Sequence, residues 1–242
     1  MAGPADAQKT GDLKITFKLK GDVPAVKDTK ITQDVAFCGK FGLKDESLVV
    51  NKDNKGISNI FVFVYTGRGG TKLAKVPPQN KMHELANKDC RFEPHAMVLQ
   101  AGDTLKVTNP DDVGHNANLQ FFNNKAENFV IPAKQHKEVV LTQAEPAVTE
   151  VACNIHPWMK AQVLVLDHPF AAITDKDGVV VIKGLPAGEK IVFRATHELG
   201  TFKNEIYVDG KKDKWKSNKF EVKIKEGMND MGVVEVPAKE FK

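Results

Sequence analysis

Apolar and polar residues alternate one by one along several stretches of the chain. In residues 13–19 every second position is apolar, and the positions between are Lys14, Thr16 and Lys18. The same period recurs in residues 104–108 and 220–225. A period of two residues is typical of strands with one buried face. Four continuous apolar runs are predicted to be strands buried on both faces: residues 60–65, 163–166, 179–182 and 191–193.

Turn signals such as Gly-Asp, Pro-Pro and Asp-Gly pairs separate these stretches. No long apolar pattern with the helical period of 3.6 residues competes with them, and only residues 80–87 fit a short helix. Many short strands at this spacing predict an all-β protein built as one sandwich or as a pair of sandwiches.

The chain has 242 residues, which allows one large domain or two smaller ones. A boundary is predicted near His168-Pro169, because all three cysteines precede it and only one histidine, His197, follows it. We therefore expect a domain over residues 11–168 and a smaller β domain over residues 169–242. The smaller domain would be marginally stable alone.

Composition excludes two classes of protein. No apolar run approaches the roughly 18 residues of a membrane-spanning helix, so no membrane span is expected. The 35 basic residues exceed the 31 acidic ones by only 4. Arginine occurs only three times, and nucleic-acid readers favour the arginine fork, so no nucleic acid is expected as a partner.

The stretch Cys153-Asn-Ile-His156-Pro-Trp-Met159 carries the most informative chemistry. It places a thiolate, an imidazole and a thioether three residues apart, between two predicted strands. A short loop of this kind can turn all three side chains toward one point. We expect the fourth ligand to be His115, which lies in Gly-His-Asn after an upstream strand.

Two histidines, a cysteine and a weak axial methionine are the ligand set of a type 1 copper site. Structural zinc prefers four strong nitrogen or sulfur donors, and calcium prefers oxygen. The set predicts one copper ion on His115, Cys153, His156 and Met159, and the alternative is an inert buried cysteine. Asn116 is expected to bridge the two ligand loops by hydrogen bonds. Apolar surface around an exposed edge of His156 would receive a partner.

Residues 92–166 resemble the cupredoxin family, particularly its plastocyanin and amicyanin branch. The shared pattern is Phe92-Glu-Pro94, the Gly102-Asp103 turn, a strand ending in Asn109, His115-Asn116 and the short Cys-x2-His-x2-Met loop. The resemblance implies a Greek-key β-sandwich that carries electrons in an oxidising compartment. Residues 11–90 match less well: the first strand is assigned to this sandwich, and residues 28–89 are interpreted as an insertion.

Residues 174–188 resemble the transthyretin-like, carboxypeptidase-regulatory-like β-sandwich. The likeness rests on a strand, an Asp177-Gly178 turn, a second strand and a Leu-Pro-x-Gly turn before the strand at 191–195. Modules of that family usually serve packing or recognition rather than catalysis.

The other two cysteines, Cys38 and Cys90, have no metal-type spacing. They are either a disulfide, worth about 4 kcal/mol for a loop of about 50 residues, or two unpaired thiols. His83 and His95 flank Cys90 and are either a second metal site or ordinary histidines. A disulfide would suit an exported protein. The segment 1–10 has no signal-peptide pattern, and we expect that a signal peptide has been removed from a periplasmic or otherwise exported protein.

No nucleophile elbow, zinc-protease motif or phosphate-binding glycine loop is present. We therefore expect a single-electron carrier that is not an enzyme and that works with redox partner proteins. Its lysine-rich surface favours an acidic partner. Two alternatives remain open: a copper carrier without a redox role, and a cell-surface recognition module. The sequence does not predict the oligomeric state.

Overall fold

A computed structural model describes residues 9–200, 202 and 205–241. The first eight residues, part of the segment on which the expectation about a signal peptide depends, lie outside it. The predicted all-β class is confirmed. The strands of the described residues are β1 (Thr10–Lys20), β2 (Phe61–Val64), β3 (Met82–Lys88), β4 (Arg91–Glu93), β5 (Ala96–Gln100), β6 (Thr104–Thr108), β7 (His115–Leu119), β8 (Glu127–Ile131), β9 (His136–Val140), β10 (Thr149–Ala152), β11 (Lys160–Leu166), β12 (Ala171–Ile173), β13 (Val179–Pro186), β14 (Lys190–Thr196), β15 (Ile206–Val208), β16 (Lys211–Asp213), β17 (Lys219–Lys223) and β18 (Gly227–Pro237).

Helical structure in the described residues is confined to single turns. One is the α-helix α1 (Val35–Cys38), and the others are 3-10 turns at Gly39–Phe41, Lys216–Asn218 and Ala238–Glu240. None of these helices has the length and apolar composition needed to cross a membrane.

The chain divides into two compact units. The first unit combines the described part of Met1–Pro24 with Ser47–Ala74 and Phe170–Lys242. The second unit combines Ala25–Glu46 with Lys75–Pro169. In sequence, both segments of the second unit therefore lie between segments of the first.

Two sheets form the first unit, with strand orders β13-β1-β18-β15-β16 and β12-β2-β14-β17. Its apolar core draws buried side chains from both sheets, Phe17 and Val234 from one and Phe193 and Phe220 from the other. Burial along β1 alternates as predicted, and all four residues of β2 are buried. In β13 and β14, which were predicted to be buried on both faces, burial alternates instead.

The predicted domain division differs from the observed units. Strand β1 was assigned to the cysteine-containing domain, but it pairs with β13 and, in parallel, with β18. The interpretation of residues 28–89 as one insertion is also wrong, because β2 pairs with β12 and β14 of the first unit. Alternation predicts a buried face but does not specify which partner strand covers it.

The second unit is also a two-sheet structure, with strand orders β5-β11-β10-β7-β8 and β4-β3-β6-β9. Its core lies between them and includes Val163 and Leu119 from one sheet and Leu105 and Phe92 from the other. Residues 80–87, which fitted a short helix, mostly form β3 instead. Strand β3 pairs in parallel with β6, which buries its C-terminal half on one face.

The disulfide alternative for the two N-terminal cysteines is confirmed. Cys38 and Cys90 are bonded across a sequence separation of 52 residues, and both are fully buried. Cys90 belongs to the two-residue turn between β3 and β4, where both Asp89 and Cys90 have positive φ angles of 55° and 56°. Turns with two left-handed residues suit antiparallel hairpins, although they normally recruit asparagine or glycine.

Candidate metal centre

The loop of residues 153–159 joins the antiparallel strands β10 and β11, which pair up to Ala152 opposite Lys160. Two backbone hydrogen bonds fold this loop back on itself. The Cys153 N–H donates to the Met159 carbonyl over 3.1 Å, and the Met159 N–H donates to the His156 carbonyl over 2.9 Å. The Cys153, His156 and Met159 side chains are all buried.

His115 reaches the same point from the neighbouring strand. It is the first residue of β7, and β7 pairs with β10 in the same sheet. The ligand-type atoms of His115, Cys153 and His156 all lie within 4.8 Å of one another. The two Nδ1 atoms of the histidines are 2.9 Å apart, and Cys153 Sγ is 3.7 Å from His156 Nδ1. Three of the four predicted ligands thus share one site.

These separations suit a metal ion held by all three atoms. Metal–nitrogen bonds of about 2.0 Å and a metal–sulfur bond of about 2.3 Å, at tetrahedral angles, put two nitrogens about 3.3 Å apart and a nitrogen and a sulfur about 3.5 Å apart. The observed 2.9 Å and 3.7 Å lie within about half an ångström of those values. Met159 lies in the same loop, buried to 1% exposure, and its role as the fourth ligand stays a prediction.

Each histidine places its other ring nitrogen against a carboxylate. His115 Nε2 lies 2.9 Å from Asp111 Oδ2, and His156 Nε2 lies 2.9 Å from Asp34 Oδ2. Metal-binding histidines commonly donate their second ring N–H to a carboxylate in this way, which fixes the orientation of the ring. Both Nδ1 atoms are thereby left to face the centre.

The positions of the protons on the two imidazole rings favour a cation between them. A carboxylate accepts hydrogen bonds, so Asp111 and Asp34 favour protons on the Nε2 atoms. In neutral rings the two Nδ1 lone pairs would then point at each other over 2.9 Å. A proton or a metal ion between them removes that repulsion.

The surroundings of Cys153 also favour the negatively charged thiolate form of its sulfur. Burial by itself would raise the pKa of the Cys153 thiol, but the contacts with His115 and His156 and the backbone N–H of Asn116 outweigh burial and lower the pKa to about 6. Burial likewise opposes protonation of His115, yet Asp111 and Cys153 raise its pKa overall. The thiolate is therefore stabilised near neutral pH, and the thiolate is the form that binds metal.

Asn116 ties the strand of His115 to the loop of Cys153, as predicted. Its side-chain oxygen accepts the backbone N–H groups of Asn154 at 2.7 Å and Ile155 at 3.1 Å. Its own backbone N–H points at Cys153 Sγ over 3.5 Å. These contacts hold the cysteine sulfur in place independently of a metal ion.

The expectation of an exposed His156 edge is wrong. His156 has no solvent-accessible surface, and the carboxylate of Asp34 contacts its Nε2 atom. The half-buried Trp158 packs edge-on against His156 with ring centroids 5.1 Å apart. Trp158 is held there by a 3.0 Å hydrogen bond from its Nε1 to the Cys90 carbonyl.

Sequence reasoning missed Asp34 and Asp111. Asp111 had a usable signal, since it lies four residues before His115. Asp34 had none, because it is 122 residues from His156 along the chain. The possible second metal site at His83 and His95 finds no support: in the described part of the chain neither joins a cluster of three metal-binding side chains, and His83 contacts Asp103 instead.

A second cluster of ligand-type atoms comprises Cys90, Asp111 and His115. Cys90 is bonded to Cys38 and has no free thiolate, so this cluster is the hydrogen-bonded surrounding of His115 and not a separate metal site.

Structural comparison finds cupredoxins as partial matches. A purple cupredoxin from Nitrosopumilus maritimus is 23% identical with a TM-score of 0.29, and the match covers 34% of this chain and 97% of that one. An amicyanin mutant in its oxidized state is 20% identical with a TM-score of 0.30, covering 34% of this chain and 79% of that one. A Cu-containing nitrite reductase from Thermus scotoductus SA-01 is also 20% identical with a TM-score of 0.30, covering 43% of this chain and 25% of that one.

No family model and no curated protein matches the sequence. The likeness of residues 174–188 to the transthyretin-like fold has no support from these comparisons and stays a prediction. Because the structural matches are partial, the chemistry of the centre is inferred from its own side chains.

Proposed function

We propose that this protein is a type 1 copper protein that carries single electrons. His115, Cys153 and His156 would be the strong ligands, and Met159 the weak axial ligand. The observation that carries the proposal is the meeting of two imidazole nitrogens and one sulfur within 4.8 Å, with each histidine oriented by a carboxylate on its far side.

The donor set favours copper over other metals. Thiolate and thioether are soft donors that suit Cu(I), and imidazole suits both oxidation states of copper. Hard cations such as calcium prefer oxygen ligands, whereas the carboxylates of Asp111 and Asp34 contact the Nε2 atoms of the histidines and not the Nδ1 atoms. When bound, copper supplies a one-electron couple by cycling between Cu(I) and Cu(II).

The surrounding residues act by holding the ligands still. Asn116 fixes Cys153, and the two carboxylates fix the histidine rings, so the ligand positions are defined before a metal binds. The candidate ligands are buried to 1% exposure or less, which keeps water out. Ligands this deeply buried suit an electron carrier better than an enzyme, whose metal would need an open coordination position.

The partner and location belong to the same proposal. The Trp158 ring contacts His156 and is itself half-buried, so it offers the electron a route toward the surface and a redox partner a place to dock. The net charge of +4, carried mostly by lysines, favours an acidic partner. The Cys38–Cys90 disulfide suits an oxidising compartment such as the periplasm.

Visible spectroscopy tests the proposal. One equivalent of Cu(II) is added to the metal-free protein, to Cys153→Ser, and to His136→Ala, which removes an exposed histidine outside the centre. We expect an intense thiolate-to-copper band in the wild type and in His136→Ala, absent in Cys153→Ser, and reversible bleaching by a mild reductant. A pale spectrum like that of aqueous copper in the wild type would refute the proposal. Rapid loss of copper to a chelator would favour the copper carrier.

A further inference from the structure

Residues 25–46, here named the cap segment, form a loop outside the two sheets of the second unit. The two ends of the segment pair with each other: the Thr29 N–H donates to the Leu43 carbonyl over 3.0 Å, and the Asp45 N–H donates to the Lys27 carbonyl over 2.9 Å. The segment is therefore closed at its base, and α1 lies near its tip.

The tip is fastened to the core by a covalent bond and by apolar contacts. Cys38, the last residue of α1, is bonded to Cys90 and is fully buried. Ile31, Phe37 and Leu43 are partly buried against the core of the second unit. The disulfide thus holds α1 in one position relative to the β3–β4 turn.

Asp34 uses its side chain in an unusual way for its position. It is the N-cap residue of α1, where an aspartate normally accepts a backbone N–H of the first helical turn. Its carboxylate makes no such bond, and its backbone adopts a left-handed conformation with a φ angle of 45°. The carboxylate instead lies 2.9 Å from His156 Nε2. The carboxylate does not cap α1, and the backbone of Asp34 is left-handed. Together these features indicate that the role of the side chain is to bind His156.

We propose that Asp34 is a positioning residue for the metal centre, carried onto His156 by the disulfide-fastened cap segment. The proposal deepens the proposed function and depends on it for its copper readouts. Asp34 accepts the Nε2–H of His156, keeps the Nδ1 atom turned inward, and covers the ring edge. His156 can leave a bound metal only after this hydrogen bond breaks.

Copper release tests this role. Copper-loaded wild type, Asp34→Ala, Asp34→Asn and Asp28→Ala are mixed with an excess of a Cu(I) chelator after reduction. Asp28 is a matched control, because it lies on the same segment and pairs with Lys44 at the surface. Loss of a partner of this kind typically weakens metal binding 10- to 100-fold. We expect release about 10- to 100-fold faster in Asp34→Ala and unchanged in Asp28→Ala.

The asparagine variant separates positioning from bulk stability. Its amide oxygen can still accept the Nε2–H, so Asp34→Asn should restore most of the slow release and the wild-type position of the thiolate-to-copper band. Release from Asp34→Ala within twofold of wild type would overturn the proposal. So would an Asp34→Asn variant that behaves like Asp34→Ala, because a hydrogen-bond acceptor would then have no effect.

A metal-free readout separates failure of this inference from failure of the proposed function. Diethylpyrocarbonate modifies accessible imidazoles, and mass spectrometry locates the product. In the metal-free wild type we expect exposed His136 to react and His156 to be protected. His156 should become reactive in Asp34→Ala and in the double variant Cys38→Ala/Cys90→Ala.

Protection of His156 in both variants would overturn the role of the cap segment, whether or not the protein binds copper. If the double cysteine variant fails to fold, as its circular dichroism would show, Asp34→Ala decides alone because its disulfide is intact. A wild type that shows this protection pattern but gives no thiolate-to-copper band would refute only the proposed function.

Discussion

Asp111 connects the candidate ligand His115 to the hairpin turn that carries the disulfide. One carboxylate oxygen accepts the Asp89 N–H over 2.8 Å, and the other accepts the Cys90 N–H over 2.9 Å and contacts His115 Nε2 over 2.9 Å. Burial would raise the pKa of Asp111, but these contacts outweigh burial and lower it. The carboxylate therefore stabilises the left-handed turn at Asp89 and Cys90 by accepting both backbone N–H groups, and it orients the imidazole of His115.

The substitution Asp111→Asn keeps the shape and removes the charge. The best amide orientation retains the oxygen toward Cys90 and His115 and turns the NH₂ group against the Asp89 N–H. One charge-assisted hydrogen bond, worth about 2 kcal/mol, is lost, and two others weaken by about 1 kcal/mol each. We therefore expect the free energy of unfolding of the metal-free protein to fall by about 4 kcal/mol at neutral pH.

Guanidinium unfolding measures this loss. Trp158 reports on the second unit, so all variants carry Trp215→Phe, which removes the tryptophan of the first unit. The control is Asp112→Asn, whose exposed carboxylate pairs with Lys134 at the surface and should cost less than about 1 kcal/mol. A loss below about 1 kcal/mol for Asp111→Asn, with an unchanged m-value, would refute the reasoning.

The pH dependence of the same variant has a definite sign. Because the folded-state pKa of Asp111 is lowered, its stabilisation is complete above the unfolded pKa of about 3.9 and disappears as the pH falls through the folded-state pKa. Below about pH 4, where imidazoles are protonated in both the folded and the unfolded chain, the difference between wild type and Asp111→Asn should therefore narrow as the pH falls. A difference that widens in that range would contradict the assigned hydrogen bonds.

Two further predictions concern stability. Removing the disulfide by Cys38→Ala/Cys90→Ala should cost the metal-free protein about 4 kcal/mol, since it opens a loop with a separation of 52 residues; a loss below about 1 kcal/mol in chemical denaturation would show that the unfolded chain gains little freedom. Buried Glu145 accepts backbone N–H groups from Phe122 and Asn124, and although burial raises its pKa, the contacts lower it overall. Its contribution to stability is complete above the unfolded pKa of about 4.3 and is lost as the pH falls through the lower folded-state pKa. Glu145→Gln should therefore lower the free energy of unfolding by about 2 kcal/mol near neutral pH and by less in acid, which unfolding curves across pH would test.

Features encoded by neighbouring residues could be predicted from the sequence. The alternation in β1 marks its buried face, and three candidate ligands lie in the single loop after β10. The region 80–87 was ambiguous for a physical reason. Its apolar residues Met82 and Leu85 are three apart, a spacing that a helix also uses, and only pairing with β6 decides for a strand.

Features that depend on distant pairing could not be predicted. Strand β1 needs a partner to cover its edge, but nothing in its pattern distinguishes a strand of one unit from a strand of the other. The contact of Asp34 with His156 joins positions 122 residues apart. It depends on the path of the cap segment, which a disulfide and scattered apolar contacts determine rather than a local motif.

The parallel pairing of β1 with β18 has a consequence for the order in which the chain can fold. Residues Thr10–Lys20 emerge early from the ribosome or a translocation channel, but their partner Gly227–Pro237 emerges more than two hundred residues later. Both edges of β1 stay unpaired until β13 (Val179–Pro186) emerges, and one edge must wait unpaired until β18 emerges; such edges invite wrong pairing. Every segment of the second unit emerges during that wait. The candidate metal centre can therefore assemble, and its disulfide can form, before the first unit closes.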